Sequence, residues 1–107
     1  MAVTSEVSQD GTVLVITITG RFDFGAHQDF RNAYERVNAK PERYEVNLGE
    51  ATYLDSSALG MLLLLRDHAG GESAKVKLTN SSADVGKILA ISNFDKLFEI
   101  EKPGHNG

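Results

Sequence analysis

"TYLDSSALGMLLLLR", residues 52–66, sets an acid and two serines at the mouth of the most apolar segment of the chain. Just before it, "YEVNLG", residues 44–49, alternates: Tyr44, Val46 and Leu48 on one side, Glu45 and Asn47 on the other. That period predicts a strand, followed by a short link. From Ser57 to Ala69 the period changes to that of a helix. Leu59, Leu62 and Leu63 share a face that Met61 and Leu65 widen, so this helix is expected to be deeply buried. Gly70-Gly71 supplies its stop.

The same strand-to-helix alternation extends outward in both directions. Upstream, Val3–Val7 reads as a first strand and Asp10-Gly11 as a hairpin turn. Thr12–Asp23 follows as a strand that Gly20 ends, with Leu14, Ile16 and Ile18 on one face. Phe30, Ala33, Tyr34 and Val37 then stand at i, i+3, i+4 and i+7, an amphipathic helix closed by Pro41. Downstream, Val76 and Leu78 alternate with Lys75 and Lys77 in another strand. Ser81 or Ser82 caps a further helix with Val85, Ile88 and Leu89 inside, and "FDKLFEIE" is a last short strand or helix end. The order β-β-α-β-α-β-α-β predicts an α/β domain with a mixed, largely parallel sheet and three to four helices. The expected domain covers 1–107, with its core at about 3–101 and a tail at 102–107.

Composition narrows the function. A chain of 107 residues with 41% hydrophobic and 24% charged residues suits one ordinary domain with its own core. It has no cysteine, which excludes disulfides and thiolate chemistry. A net charge of -4 without a basic stripe argues against nucleic acid. "MAVTSEVSQD" is no signal peptide, and the longest apolar run, Ala58 to Leu65, falls far short of the roughly 20 residues that span a membrane. A cytoplasmic domain that does not contact membrane is expected.

Asp55, Ser56 and Ser57 admit three readings. Ser56 or Ser57 can simply be the N-cap of the helix, accepting an orphan backbone N–H. A catalytic serine is a poorer fit, because the G-x-S-x-G elbow is absent and a nucleophile needs a base. His68 lies down the same helix, His105 in the tail, and nothing marks out His27. The histidines have no metal-ligand spacing either. The third reading is a phosphosite: the free N–H groups and positive dipole end at a helix start accommodate a phosphate. The added charge would change the local surface without refolding the domain. Taken alone, Leu59 reads as core, Met61 as core or interface, and Asp23 as a solvated strand-end acid.

Three stretches carry a family resemblance: "GRFDFGAHQDF", "VNLGEATYLDSSALGMLL" and "NSSADVGKILAISNFDKLFEI". They resemble the STAS domain, and within it the bacterial anti-sigma factor antagonists, over about Val7 to Ile100. The more specific element is D-S-S/T-x-L-G between strand and helix; the second is G-x-x-D, here Gly20 to Asp23. The resemblance implies that Ser56 is phosphorylated by a partner anti-sigma factor or switch-protein serine kinase. It makes Asp23 the acid beside the phosphosite and matches Asp55, Leu59 and Gly60 to the rest of the motif. Ser57, Ala58, Leu59 and Met61 would form or border the docking surface. The unmodified form would bind the anti-sigma factor, and a PP2C-type phosphatase would restore the serine. No catalysis, cofactor or metal is implied. STAS domains also serve as non-switching modules docked on transporters or larger complexes, a role that retention of Ser56 disfavours. One departure is Ala58, where the family often has glycine; alanine is the better helix former and adds a methyl beside the serine.

Overall fold

The computed structural model describes residues 2–38 and 40–101. Its five strands pair in the order β1-β2-β3-β4-β5: β1 Ala2–Val7, β2 Val13–Phe22, β3 Arg43–Leu54, β4 Val76–Thr79 and β5 Glu99–Glu101. The helices α1 His27–Glu35, α2 Ser56–His68 and α3 Ala83–Ile91 connect the strands from β2 onward. Only β1 is antiparallel to its neighbour; the other pairs are parallel. The tail expected at 102–107 lies outside the described residues.

The first turn forms because Asp10 acts as its hub. Its Oδ1 accepts the Ser8 hydroxyl at 2.7 Å, the Thr12 hydroxyl at 2.8 Å and the Thr12 amide at 3.1 Å. Those donors hold its carboxyl well below the usual carboxylate range, at about 2, with the Ser8 hydroxyl contributing most.

One face of the sheet is the core face. Leu14, Ile16 and Ile18 of β2, Val46 and Leu48 of β3 and Leu78 of β4 are all sealed from solvent. Phe30 and Tyr34 of α1, Leu62 and Leu65 of α2, and Val85 and Leu89 of α3 join the same cluster. All three helices therefore cover one face. On the other face one row runs Glu6, Val15, Glu45, Lys77 and Glu99 across the sheet, and Lys77 bridges Glu99 and Glu101 at 3.3 Å each. A largely parallel sheet with a polar open face departs from the usual burial of such sheets on both sides.

Several boundaries differ from the sequence expectation. Gly20 does not end β2; at φ 87 it sits where the register shifts, and the strand continues to the fully buried Phe22. The expected link after Gly49 is also strand. Glu50, Ala51, Tyr53 and Leu54 pair with Thr19, Gly20, Arg21 and Phe22. Helix α1 stops at Glu35, well before Pro41, because the Glu42 and Arg43 amides must return to the Thr12 carbonyl to start β3. In α2 the buried face is Ala58, Met61, Leu62 and Leu65, while Leu63 and Leu64 are exposed. Ser82, the second of the two serines considered, caps α3 by accepting the Val85 amide at 3.2 Å. The final segment combines a short 3-10 turn, Phe94–Lys96, with β5.

Candidate functional site at the β3–α2 junction

Parallel pairing brings the ends of β2 and β3 to one level. Phe22 and Leu54 are partners, and the next amide, that of Asp55, donates to the Phe22 carbonyl at 3.4 Å. Asp23 and Asp55 thus stand side by side, one residue past paired positions on neighbouring strands. Both have extended backbones, and each begins a helical turn. Asp23 accepts the Gly25 amide at 3.0 Å. Asp55 accepts the Ala58 amide and the Ser57 hydroxyl, each at 2.9 Å.

The N-cap of α2 is therefore Asp55, not Ser56 or Ser57 as expected. A carboxylate serves two donors at once: the backbone amide that a cap must satisfy and the neighbouring hydroxyl. These bonds, led by the Ala58 amide, lower the Asp55 carboxyl below its ordinary value, so it is charged at neutral pH. Ser57 is half-buried and committed to Asp55. Ser56, the first residue of α2, is exposed and is not required as a cap.

The motif residues divide by burial. Ala58 and Met61 are buried and support the site from the core. Leu59 is half-buried and Gly60 exposed, with open space where a Cβ would stand. On the same helix Leu63 and Leu64 are exposed at 41% and 53%. Phe24, in the 3-10 turn that Asp23 begins, is 71% exposed and stacks on His27 at 5.7 Å between ring centroids. Sequence reasoning did not single out Phe24, Arg21 or Tyr53. The Arg21 guanidinium lies 4.8 Å from the centroid of the Tyr53 ring, and its Nε is 3.6 Å from Asp23 Oδ2. Only the strand register reveals that Arg21 and Tyr53 are cross-strand partners.

The histidine that shares α2 with Ser56 lies far from it. His68 sits at the far end of α2, roughly 18 Å away by helix rise, with its ring 4.8 Å from that of Tyr34. Among the described residues no group of three or more His, Cys, Asp or Glu side chains is placed to hold a metal ion. No helix among them is long and apolar enough to cross a membrane. What the site offers is an exposed hydroxyl that follows Asp55 at the start of α2, two structural carboxylates at one level, and exposed apolar side chains.

A family model described as "Mlab, STAS domain" matches residues 5–99. A STAS-domain containing protein of Pseudomonas aeruginosa (strain UCBPP-PA14) is 69% identical over 100 residues, which span 94% of this chain and 99% of that protein. Solved structures that share the fold include two of contrasting description. The anti-sigma factor antagonist SpoIIAA in its unphosphorylated form matches with a TM-score of 0.66 at 16% identity, over 97% of this chain and 90% of that one. A sulfate transporter family protein from Wolinella succinogenes matches with a TM-score of 0.72 at 14% identity, over 92% of this chain and 82% of that one.

Proposed function

The chain belongs to the STAS domain family, and within that family we propose that it is an anti-sigma factor antagonist switched by phosphorylation of Ser56. The observation that carries this reading is the division of labour between Asp55 and Ser56. Asp55 takes the capping role and Ser57 is tied to it, which leaves Ser56 as an exposed hydroxyl at a helix start. The serine is a substrate for a partner kinase, not a nucleophile of this chain.

In the unmodified state the domain binds an anti-sigma factor or related regulator in the cytoplasm. Leu59, Gly60, Leu63 and Phe24 form the docking surface around Ser56, and the described strands and helices act as a single domain. A phosphate at Ser56 adds about −1.5 to −2 charge beside Asp23 and Asp55. A partner that fits a neutral hydroxyl then meets like charge and a strongly hydrated group, and it dissociates. A PP2C-type phosphatase reverses the change.

The fold is also that of a sulfate transporter family protein, which supports a second reading: a non-switching module docked on a transporter or larger complex. Pull-down with an anti-sigma factor separates the two. Wild type and Ser56→Ala are expected to bind alike, and Ser56→Asp more weakly, since one carboxylate copies a phosphate incompletely. Equal capture by all three forms rejects the switch. Mass spectrometry of the chain from its native cells is expected to find phosphate on Ser56.

A further inference from the structure

A phosphate at Ser56 would add to a crest that is already acidic. Residues 20–26 and 49–60 include Asp23, Glu50 and Asp55, and one basic residue, Arg21. We propose that Arg21 is the internal counter-ion of phosphorylated Ser56: on modification its guanidinium leaves Asp23 and closes on the phosphate, uncovering Asp23 and the Tyr53 ring. This inference rests on the phosphosite reading above and adds to it the side chain that receives the new charge.

Arg21 lies, by strand register, opposite Tyr53, three residues before Ser56. Its side chain already extends past Phe22 to Asp23, and Asp23 stands level with Asp55 across one strand spacing, about 4.8 Å. Ser56 is the next residue along. The move runs from the acid one residue past the end of its own strand to Ser56, two residues past the end of the adjacent one.

The resting contacts are easily exchanged. The Arg21–Asp23 pair is long, at 3.6 Å, and both side chains are solvated, with 66% and 36% exposure. An exposed pair of this kind contributes little. Stacking over an exposed tyrosine is similarly weak. Asp23 also loses little when Arg21 departs, because its other oxygen keeps the Gly25 amide at 3.0 Å. A phosphate offers nearly twice the charge of a carboxylate and three acceptor oxygens, which match the guanidinium fork in bidentate geometry. Asp23 and Tyr53 restrain Arg21 in the unmodified chain, and the phosphate outcompetes both.

Two consequences follow for the switch. The modified crest differs from the unmodified one in more than a single charge. It presents a bare Tyr53 ring and a carboxylate without its cation, two features that a partner selecting the phosphorylated form can read. Arg21 also restrains the phosphate, so phosphatase access depends on release of that contact.

The test uses the full chain with phosphoserine incorporated during translation at position 56, so neither kinase nor partner is needed. Phosphorus NMR titration reads the second proton of the phosphate in the wild type, in Arg21→Gln, in Arg21→Lys, and in Lys75→Gln, a control at the opposite end of the sheet. With Arg21 present the midpoint is expected to lie about 0.5 pH unit lower than in Arg21→Gln, a roughly threefold change in proton affinity. Arg21→Lys recovers part of that difference, and Lys75→Gln leaves the midpoint where the wild type has it. The Arg21 Nε–H resonance is expected to shift between the unmodified and phosphorylated chains. Equal midpoints in wild type and Arg21→Gln, a Lys75→Gln effect as large as that of Arg21→Gln, or an unmoved Arg21 resonance overturns the proposal. Failure of the switch itself appears elsewhere, as equal pull-down by the Ser56 variants or unmodified Ser56 in native cells.

Discussion

Asp23 and Asp55 occupy equivalent places on adjacent parallel strands, one residue beyond the Phe22–Leu54 pair, and each turns its carboxylate back onto a following amide. Two structural acids at one level give the crest its local negative charge without any loss of fold. They differ in their second contact. Asp23 faces a cation, Arg21, whereas Asp55 holds a hydroxyl, that of Ser57. Ser56 is thus flanked by groups that are already committed, while it remains exposed.

Replacement of Asp55 should be the costliest change at the crest. Asp55→Ala removes the acceptor for the Ala58 amide and frees the Ser57 hydroxyl, leaving the start of α2 uncapped. Loss of one good cap in a domain of this size is expected to lower Tm by about 5 °C. Asp55→Asn keeps one side-chain acceptor and should recover most of that loss. Ser56→Ala should shift Tm by no more than about 2 °C, because the cap does not depend on it. Calorimetry on the three variants checks the order; a Ser56→Ala loss as large as that of Asp55→Ala would return the capping role to the serine.

Acid stability should report the hairpin turn. The Asp10 carboxyl is depressed to about 2 from an ordinary value of 3.8, chiefly by the Ser8 hydroxyl. A depressed acid stabilises the folded state above its unfolded value, and that contribution is lost as pH falls through the folded value. Between these limits the unfolded chain binds more protons, so stability declines as pH drops from about 4 toward 2. Asp55, also depressed, contributes in the same direction. Asp10→Asn is expected to flatten the stability–pH curve in this window and leave its slope above pH 6 unchanged. Urea unfolding at pH 2.5, 4 and 7 makes the measurement.

The exposed and buried leucines of α2 should separate sharply. Leu62 is sealed in the core, and Leu62→Ala is expected to cost about 2–5 kcal/mol. Leu64, 53% exposed, should cost about 0.5 kcal/mol or less when replaced by alanine. Urea midpoints compare the two directly. Similar losses would mean that the helix is rotated from the orientation described.

That contrast also shows where the sequence was silent. Alternation in Tyr44, Val46 and Leu48 and helical spacing of Phe30 and Tyr34 were legible because polar neighbours such as Glu45, Asn47 and Arg31 mark the wet side. From Met61 to Leu65 every residue is apolar, so no polar contrast distinguishes the exposed Leu63 and Leu64 from the buried Leu62. The second half of β3 was missed for a related reason. Its buried residues Ala51 and Leu54 are three apart, because the register with β2 shifts, and a period of two does not detect them. At the site, the position of the motif between strand and helix was legible. The choice of Asp55 over the serines as cap was not, since all three residue types favour that place. The Arg21–Tyr53–Asp23 contacts depend on pairing between residues some 30 positions apart in the chain, which no local pattern encodes.

Gly60 offers the clearest separation of stability from function. It lies within α2 and is exposed, and a Cβ there would meet nothing within 4 Å. Alanine is the better helix former because it restricts the unfolded chain and leaves less backbone open to water. Gly60→Ala should therefore raise stability by about 0.5–1 kcal/mol. The same methyl would project from the surface proposed to receive the partner, one turn along from Ser56. If that surface is the docking site, the more stable variant should bind more weakly, by roughly tenfold for a methyl that displaces a close contact. Gly86→Ala, on α3 with the Ser81 hydroxyl 3.7 Å from the added methyl, supplies a control that changes a helical glycine away from the site. Thermal unfolding and titration calorimetry with the anti-sigma partner read the two effects separately. A Gly60→Ala chain that is more stable and binds with unchanged affinity would move the docking surface off this face of α2.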